Sequence, residues 1–212
     1  MMCDWSRITT LAYFTLLELN LQNFPILIKS IKCKGVRVSS YQKYAAITGI
    51  SVKEITLGNE LKDAFLLKGL RPGITLILYD EDKYIARIKH TLLHEVGHVK
   101  CGHRKHGEQE EIEAHFFAAQ VNAPNALLKA IEKRGYNINI PFLINGFGLS
   151  EEAAKKKMDY LGRYGFEHTN ENDDLILLQF NKFVNDKYPI RTQRFYDDHL
   201  DDLELEREKW NY

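Results

Sequence analysis

The sequence predicts an α+β domain, mostly helical, with a small β-sheet set beside one histidine-rich helix. Three observations predict it. Apolar residues recur at helical spacing along most of the 212 residues. The run ITLILYD (74–80), between RPG and EDK, is β-branched and apolar and reads as a strand. The stretch HTLLHEVGHVKCGH (90–103) holds four of the chain's eight histidines on one amphipathic pattern.

The elements follow in order. Ile8, Leu11, Ala12, Leu16 and Leu19 make one apolar stripe, so the spacing predicts a helix over 8–19. Pro25 is placed to open a second helix and Gly35 to end it. Val36 and Val38 suggest a short strand. YAAITGISVKEI reads as a helix, a glycine turn and a new helix start, with Ser51 and Glu54 forming a capping box. That pattern also occurs in helix-turn-helix DNA readers. After the 74–80 strand, a long helix runs from about Tyr84 to about Cys101, with Gly102 placed to end it. EEIEAHFFAAQVN is strongly helical up to Pro124, and NALLKAIEKRG forms a further helix before Gly135. GLSEEAAKKKMDYLGRYG carries an N-cap at Ser150, acid in its first turn, and Gly162 beyond its last. HTNENDD is a solvated loop, and DDLILLQFNKFVNDKY is one more helix or a strand pair. The end, YDDHLDDLELEREKW, is a charged helix or tail. These readings divide the chain into a domain over 1–165, with a small helical segment at its end, and a charged extension over 166–212.

Composition narrows the function. Lys plus Arg and Asp plus Glu are 29 each, so no global field favours nucleic acid or an anionic membrane. Three scattered cysteines (Cys3, Cys33 and Cys101) build no disulfide framework, and a reducing cytoplasm is the expected setting. Cys101 reads as a small buried hydrophobe. The N-terminal stretch has one basic residue, Arg7, and is interrupted by Glu18, so it does not read as a signal peptide. No run reaches the ~18 continuous apolar residues a membrane span needs.

Six of the eight histidines lie between positions 90 and 115. Within that window His94-Glu95-Val96-Gly97-His98 is an HExxH motif. Helix residues four apart share a face, so both imidazoles can reach one Zn²⁺. Glu95 lies about 100° round the helix, placed to take a proton from a water attacking a carbonyl and to pass it to the leaving amine. Gly97 weakens the helix by roughly 1 kcal/mol relative to Ala, which suggests a backbone packed close to it. Two imidazoles leave zinc short of a ligand. Glu111, Ala114, His115 and Ala118 share a face of the next helix, and the small residues permit close approach. Glu111 is therefore the expected third ligand, with Glu113, on the side of Phe117 and Gln120, as the alternative. His115 is placed to orient Glu111. His90 reads as a core-edge or supporting residue. His103 and His106 read as surface or capping histidines, with oxyanion stabilisation as the other role open to them. The strand ITLILYD is expected to lie beside the active helix, as a core strand or as one that also binds substrate backbone.

RIKHTLLHEVGHVKCGH (87–103), EIEAHFFAAQVNAP (111–124) and GLSEEAAKKKMDYLG (148–162) together resemble the ImmA/IrrE-type metallo-endopeptidases over about residues 8–165. The resemblance implies a zincin-like fold and a gluzincin-like site, with zinc on His94, His98 and a glutamate of the EIEA stretch, and Glu95 as base. It also implies a protein partner, a helix-turn-helix transcriptional repressor that is cut or otherwise inactivated. A regulator that binds its repressor without cutting it is the alternative. Two departures stand out: His115 replaces the family's usual Asp or Asn, and NAP replaces apolar-Met-Pro. Neither removes an expected ligand or the base.

Overall fold

The computed structural model describes residues 3–56, 62–105, 107–166 and 170–191. Helix α1 (Trp5–Leu19) begins where the Asp4 side chain accepts from the Arg7 amide at 3.0 Å. It buries Ile8, Ala12 and Leu16 of the expected stripe together with Tyr13, while Leu11 and Leu19 are half-buried at its edge. The helix expected at Pro25 does not form; only a 3-10 turn, Ile28–Ser30, appears. The buried residues there are Phe24, Ile26, Ile31 and Cys33. Pairs two apart are the spacing of extended chain, which has no helical face to bury.

Strand β1 (Val36–Ser40) leads into α2 (Tyr41–Thr48) and the single turn α3 (Val52–Ile55), where the Ser51–Glu54 capping box is present. Two further strands complete the sheet: β2 (Ala64–Arg71) and β3 (Ile74–Tyr79). The order is β1-β3-β2, with β1 parallel and β2 antiparallel to β3. Thus ITLILYD is the central strand. Its Ile77 enters the main core, while Leu78 packs with Tyr41 and Phe65 on the other face. An apolar run buried on both faces is what a central strand requires.

The main body is helical. Helix α4 (Ile85–Lys100) lies against α5 (Glu108–Asn122), and α1 packs on α5. After these come α6 (Asn125–Glu132), α7 (Ile140–Phe147), α8 (Glu151–Tyr164), α9 (Asp173–Gln179) and α10 (Asn181–Lys187). Gly162 sits inside α8, and Gly165 ends it. The packed body runs past the boundary expected at 165. Ile176, Phe180, Phe183 and Val184 belong to the same core as α1 and α4. Phe24 meets Phe180 at 4.9 Å and Phe183 at 5.6 Å between ring centroids. The segment read as a helix or a strand pair is therefore two short helices closing the core. The charged run 196–210 lies outside the described residues. No described helix is long and apolar enough to cross a membrane.

Candidate metal centre

Gly97 lets the two central helices meet. A Cβ there would stand 3.0 Å from Phe117 Cδ1 and 3.2 Å from the Ala114 Cα. Contacts that tight would make Phe117 or the α5 backbone give by a few tenths of an ångström, so glycine on α4 and alanine on α5 suit this close approach. The result brings the first turn of α5 over the HExxH face of α4.

His94 and His98 are 8% and 1% exposed, and their Nε2 atoms lie 3.0 Å apart. Glu111 reaches them with both oxygens, Oε2 at 3.2 Å from His94 Nε2 and Oε1 at 3.4 Å from His98 Nε2. A tetrahedral ion with bonds of ~2.0–2.1 Å sets its ligand atoms about 3.3 Å apart. The three separations fall around that value. Lone-pair atoms gathered this closely are stabilised by a shared cation. The donor set, two imidazoles and a carboxylate, is one zinc accepts.

Behind His98 lies a second group. His98 Nδ1 is 2.9 Å from His103 Nδ1, and His103 Nε2 is 3.2 Å from Glu113 Oε2. The Arg7 guanidinium donates to that same oxygen at 3.1 Å, and Gln109 Nε2 donates to the other at 3.0 Å. These partners assign the tautomers. Glu113 can only accept, so His103 Nε2–H donates to it. His103 Nδ1 then accepts from His98 Nδ1–H, which leaves the His98 Nε2 lone pair facing His94 and Glu111. Burial works to raise the Glu113 carboxyl, but the hydrogen bonds from Gln109 and His103 and the Arg7 charge outweigh it and hold it low. Glu113 is thus occupied by protein donors, and Glu111 is the glutamate that meets the histidines. His103 is no surface residue: its side chain is 7% exposed. His106 lies outside the described residues.

Glu95 is buried on the same helix, at the wall of a cleft of about 480 Å³ shared with Ala64 to Leu67 of β2, His94, Glu111 and His115. Burial, with some help from the Glu111 charge, pushes its carboxyl up to about 7, against Lys62 and Lys68. A nearby cation would draw it back toward the carboxylate form a base needs. The strand beside the cleft is β2. Strand β3, expected in that place, is paired on both edges, so β2 offers the edge a peptide could join.

His115 packs at a tilt against His94, 4.3 Å between centroids, and stacks with His90 at 5.7 Å. A ligand atom of His115 lies within 4.8 Å of one on His94 and one on Glu111, so His115 is itself among the residues that could hold a metal there. Sequence reasoning missed β2, and it missed the joint role of Arg7, His103 and Glu113. The five-residue step from His98 to His103 was the one sequence signal for the latter.

A small sheet against a helical body, with imidazoles and a carboxylate gathered beside a buried acid, defines a metallopeptidase-like domain. Residues 45–159, just over half of the chain, match the family described as the IrrE N-terminal-like domain (Peptidase_M78), and the chain belongs to that family. No curated protein and no solved structure matches it.

Proposed function

We propose that the protein is a zinc-dependent endopeptidase that cuts a regulatory protein, a helix-turn-helix transcriptional repressor by the resemblance of its motifs. The observation that carries the reading is the triangle of His94, His98 and Glu111 donor atoms at 3.0–3.4 Å, with Glu95 beside it in the cleft. His94, His98 and Glu111 would hold the metal. A zinc ion there supplies Lewis acidity toward a carbonyl oxygen and lowers the pKa of a water.

The chain's own residues supply the rest. The edge of β2 binds substrate backbone in extended form. Glu95 accepts the proton of the attacking water and returns it to the leaving amine. His103 and Glu113 keep His98 in the tautomer whose Nε2 can ligate.

The test is elemental analysis together with proteolysis. About one zinc per chain, with cleavage of a repressor lost in Glu95→Gln while zinc stays, supports the reading. A chain that takes up no metal overturns it. Metal bound with no cleavage of the repressor, but tight binding to it, transfers the function to a non-proteolytic regulator.

A further inference from the structure

The sheet has a second edge. Among the described residues β1 pairs with β3 alone, so its outer edge carries backbone N–H and C=O groups that no strand meets. An open edge is a template for another strand. A groove of about 990 Å³ runs the length of β1 and the segment before it, 28–40. Five cations line it: Lys29, Lys32, Lys34, Arg37 and Lys43. All five are exposed, and none has an ion-pair partner among the described residues. Of the two acids on the rim, Glu18 is taken by Lys100 and the Lys34 amide, which leaves Glu81.

The sequence around the groove is one-sided as well. Positions 19–53 hold six Lys or Arg and no Asp or Glu. Their counterpart is 195–206, FYDDHLDDLELE, with six Asp or Glu and no Lys or Arg. Within it Asp202, Leu203, Glu204, Leu205 and Glu206 alternate acid with leucine, the period of a strand. Strand β1 alternates too: Val36 is buried, Arg37 exposed and Val38 half-buried. Two such strands side by side set leucine with valine and acid with Arg37.

We propose that the acidic segment 195–206 of this chain is the partner of β1: residues 202–206 pair with its free edge, and the carboxylates of the segment meet the cations of the groove. The tether favours it. The described chain ends at Arg191, whose N–H donates to the Arg134 carbonyl at 2.9 Å. Tyr188, three residues earlier, and Phe24, five residues before Lys29, both meet the Phe183 ring at 5.6 Å between centroids. From Arg191 to Asp202 the extended chain spans up to about 36 Å. A second copy fits the edge poorly, since two β1 strands would set Arg37 and the lysines against their own kind. Nucleic acid would use the cations and leave the backbone edge unpaired. Docked there, the segment closes the edge to foreign strands, and high salt opens it. The proposal is independent of the peptidase reading.

The first test is carbodiimide cross-linking of the full chain, which joins a lysine to a carboxylate it touches, with the linked peptides mapped by mass spectrometry. It needs no variant, so the fold is not at risk. Expected at low salt are links within the monomer from Lys29, Lys32, Lys34 or Lys43 to carboxylates of 197–206. They should vanish at about 1 M salt, where screening acts within a few ångströms. Hydrogen exchange gives the second arm. Asp202→Asn, Glu204→Gln and Glu206→Gln together should speed exchange of the β1 amides at least about tenfold. Lys32→Glu, Lys34→Glu and Arg37→Glu together should do the same. Adding Asp202→Lys, Glu204→Lys and Glu206→Lys to that second variant should restore slow exchange, a rescue that requires the two segments to meet. Links found only in a dimer overturn the proposal in favour of a second copy. Absence of links, β1 exchange indifferent to the acidic segment, or failure of the rescue overturns it outright. Duplex DNA bound as tightly by wild type as by the neutralised variant would show an open groove and overturn it too.

Discussion

Two buried polar clusters lie side by side on α4 and α5, and they treat their charges differently. In one, His103, Glu113, Gln109 and Arg7 satisfy each other through direct hydrogen bonds. In the other, His94, His98 and Glu111 point donor atoms at a common centre, and the Glu111 side chain keeps 41% of its exposure. Each also borders a further group with metal-binding chemistry: Cys101 stands beside His103 and Glu113, and His115 beside His94 and Glu111. What separates them is Arg7. A guanidinium on the Glu113 oxygen supplies the positive charge a cation would supply, whereas the donor atoms of the second cluster are the ones proposed to hold an ion. Cys101 fits this view, since burial pushes its thiol up to about 11, away from the thiolate a metal wants.

The largest expected effect breaks the symmetry outright. Glu111→Ala and His94→Ala should drop bound zinc from about one per chain to near none, and remove proteolysis with it. Glu113→Ala at saturating zinc should keep full stoichiometry. Elemental analysis of the three variants in parallel decides between the glutamates, and loss of zinc in Glu113→Ala but not Glu111→Ala would reverse the assignment. Next is Glu95→Gln. It should keep the metal and lose about 10²–10⁴-fold in kcat, the usual weight of a general base. Unchanged cleavage would remove Glu95 from the mechanism.

The closed cluster should matter to the open one in a graded way. Through His98, Glu113→Gln and His103→Phe are expected to weaken zinc by about 10–100-fold, measured by competition with a chelator of known affinity. Arg7 sits one bond further out, with its side chain 46% exposed, and Arg7→Met should cost less than either. An Arg7 effect as large as that of His103 would mean the guanidinium acts on the site directly.

Much of this arrangement was legible in the sequence because its signals are local. HExxH, the helix that carries it and the Ser51–Glu54 capping box each depend on residues within one turn of each other. Glu111 could be ranked over Glu113 by helical phase, because Ala114 and Ala118 mark the face that packs close. The missing parts are contacts across the chain. Arg7 and Glu113 are 106 positions apart, and nothing in RIT or EIEA announces the pair. Strand β2 was missed since its AFLLKGLR mixes apolar runs with lysine and glycine, and its pairing register shifts between Leu67 and Arg71. The helix expected at Pro25 does not form because proline and glycine stand as punctuation around an apolar spacing that is that of extended chain.

Gly97 tests whether the clusters depend on helix approach. Gly97→Ala adds a Cβ at 3.0 Å from Phe117 and 3.2 Å from the Ala114 Cα. Helix propensity alone would make this change favourable by about 1 kcal/mol. Overpacking costs typically about 1–3 kcal/mol and should win here, because one of the neighbours is backbone. The expected result is a lower urea midpoint and weaker zinc together. A stabilised variant with normal zinc would show that α5 can retreat without disturbing Glu111.

The smallest effect concerns a third closed site on α4, next to His90 in the chain but part of neither cluster. Lys89 is 2% exposed and donates to the Phe147 carbonyl at 3.0 Å and the Gly148 carbonyl at 2.7 Å, at the end of α7. Burial lowers its amine from 10.5 to about 8. The unfolded chain keeps the ordinary value, so between pH 10.5 and 8 it binds more protons than the folded one. Stability due to this group therefore falls as pH falls through that window and levels off below it, where both states are protonated. Lys89→Met removes that dependence. Relative to wild type, the variant should gain about 1 kcal/mol for each pH unit descended between 9.5 and 8.5, read from urea midpoints. It should bind zinc as wild type does, since Lys89 touches neither cluster. If the difference between the two proteins stayed flat with pH, Lys89 would be charged in the fold throughout, held by the helix-end carbonyls as firmly as Arg7 holds Glu113.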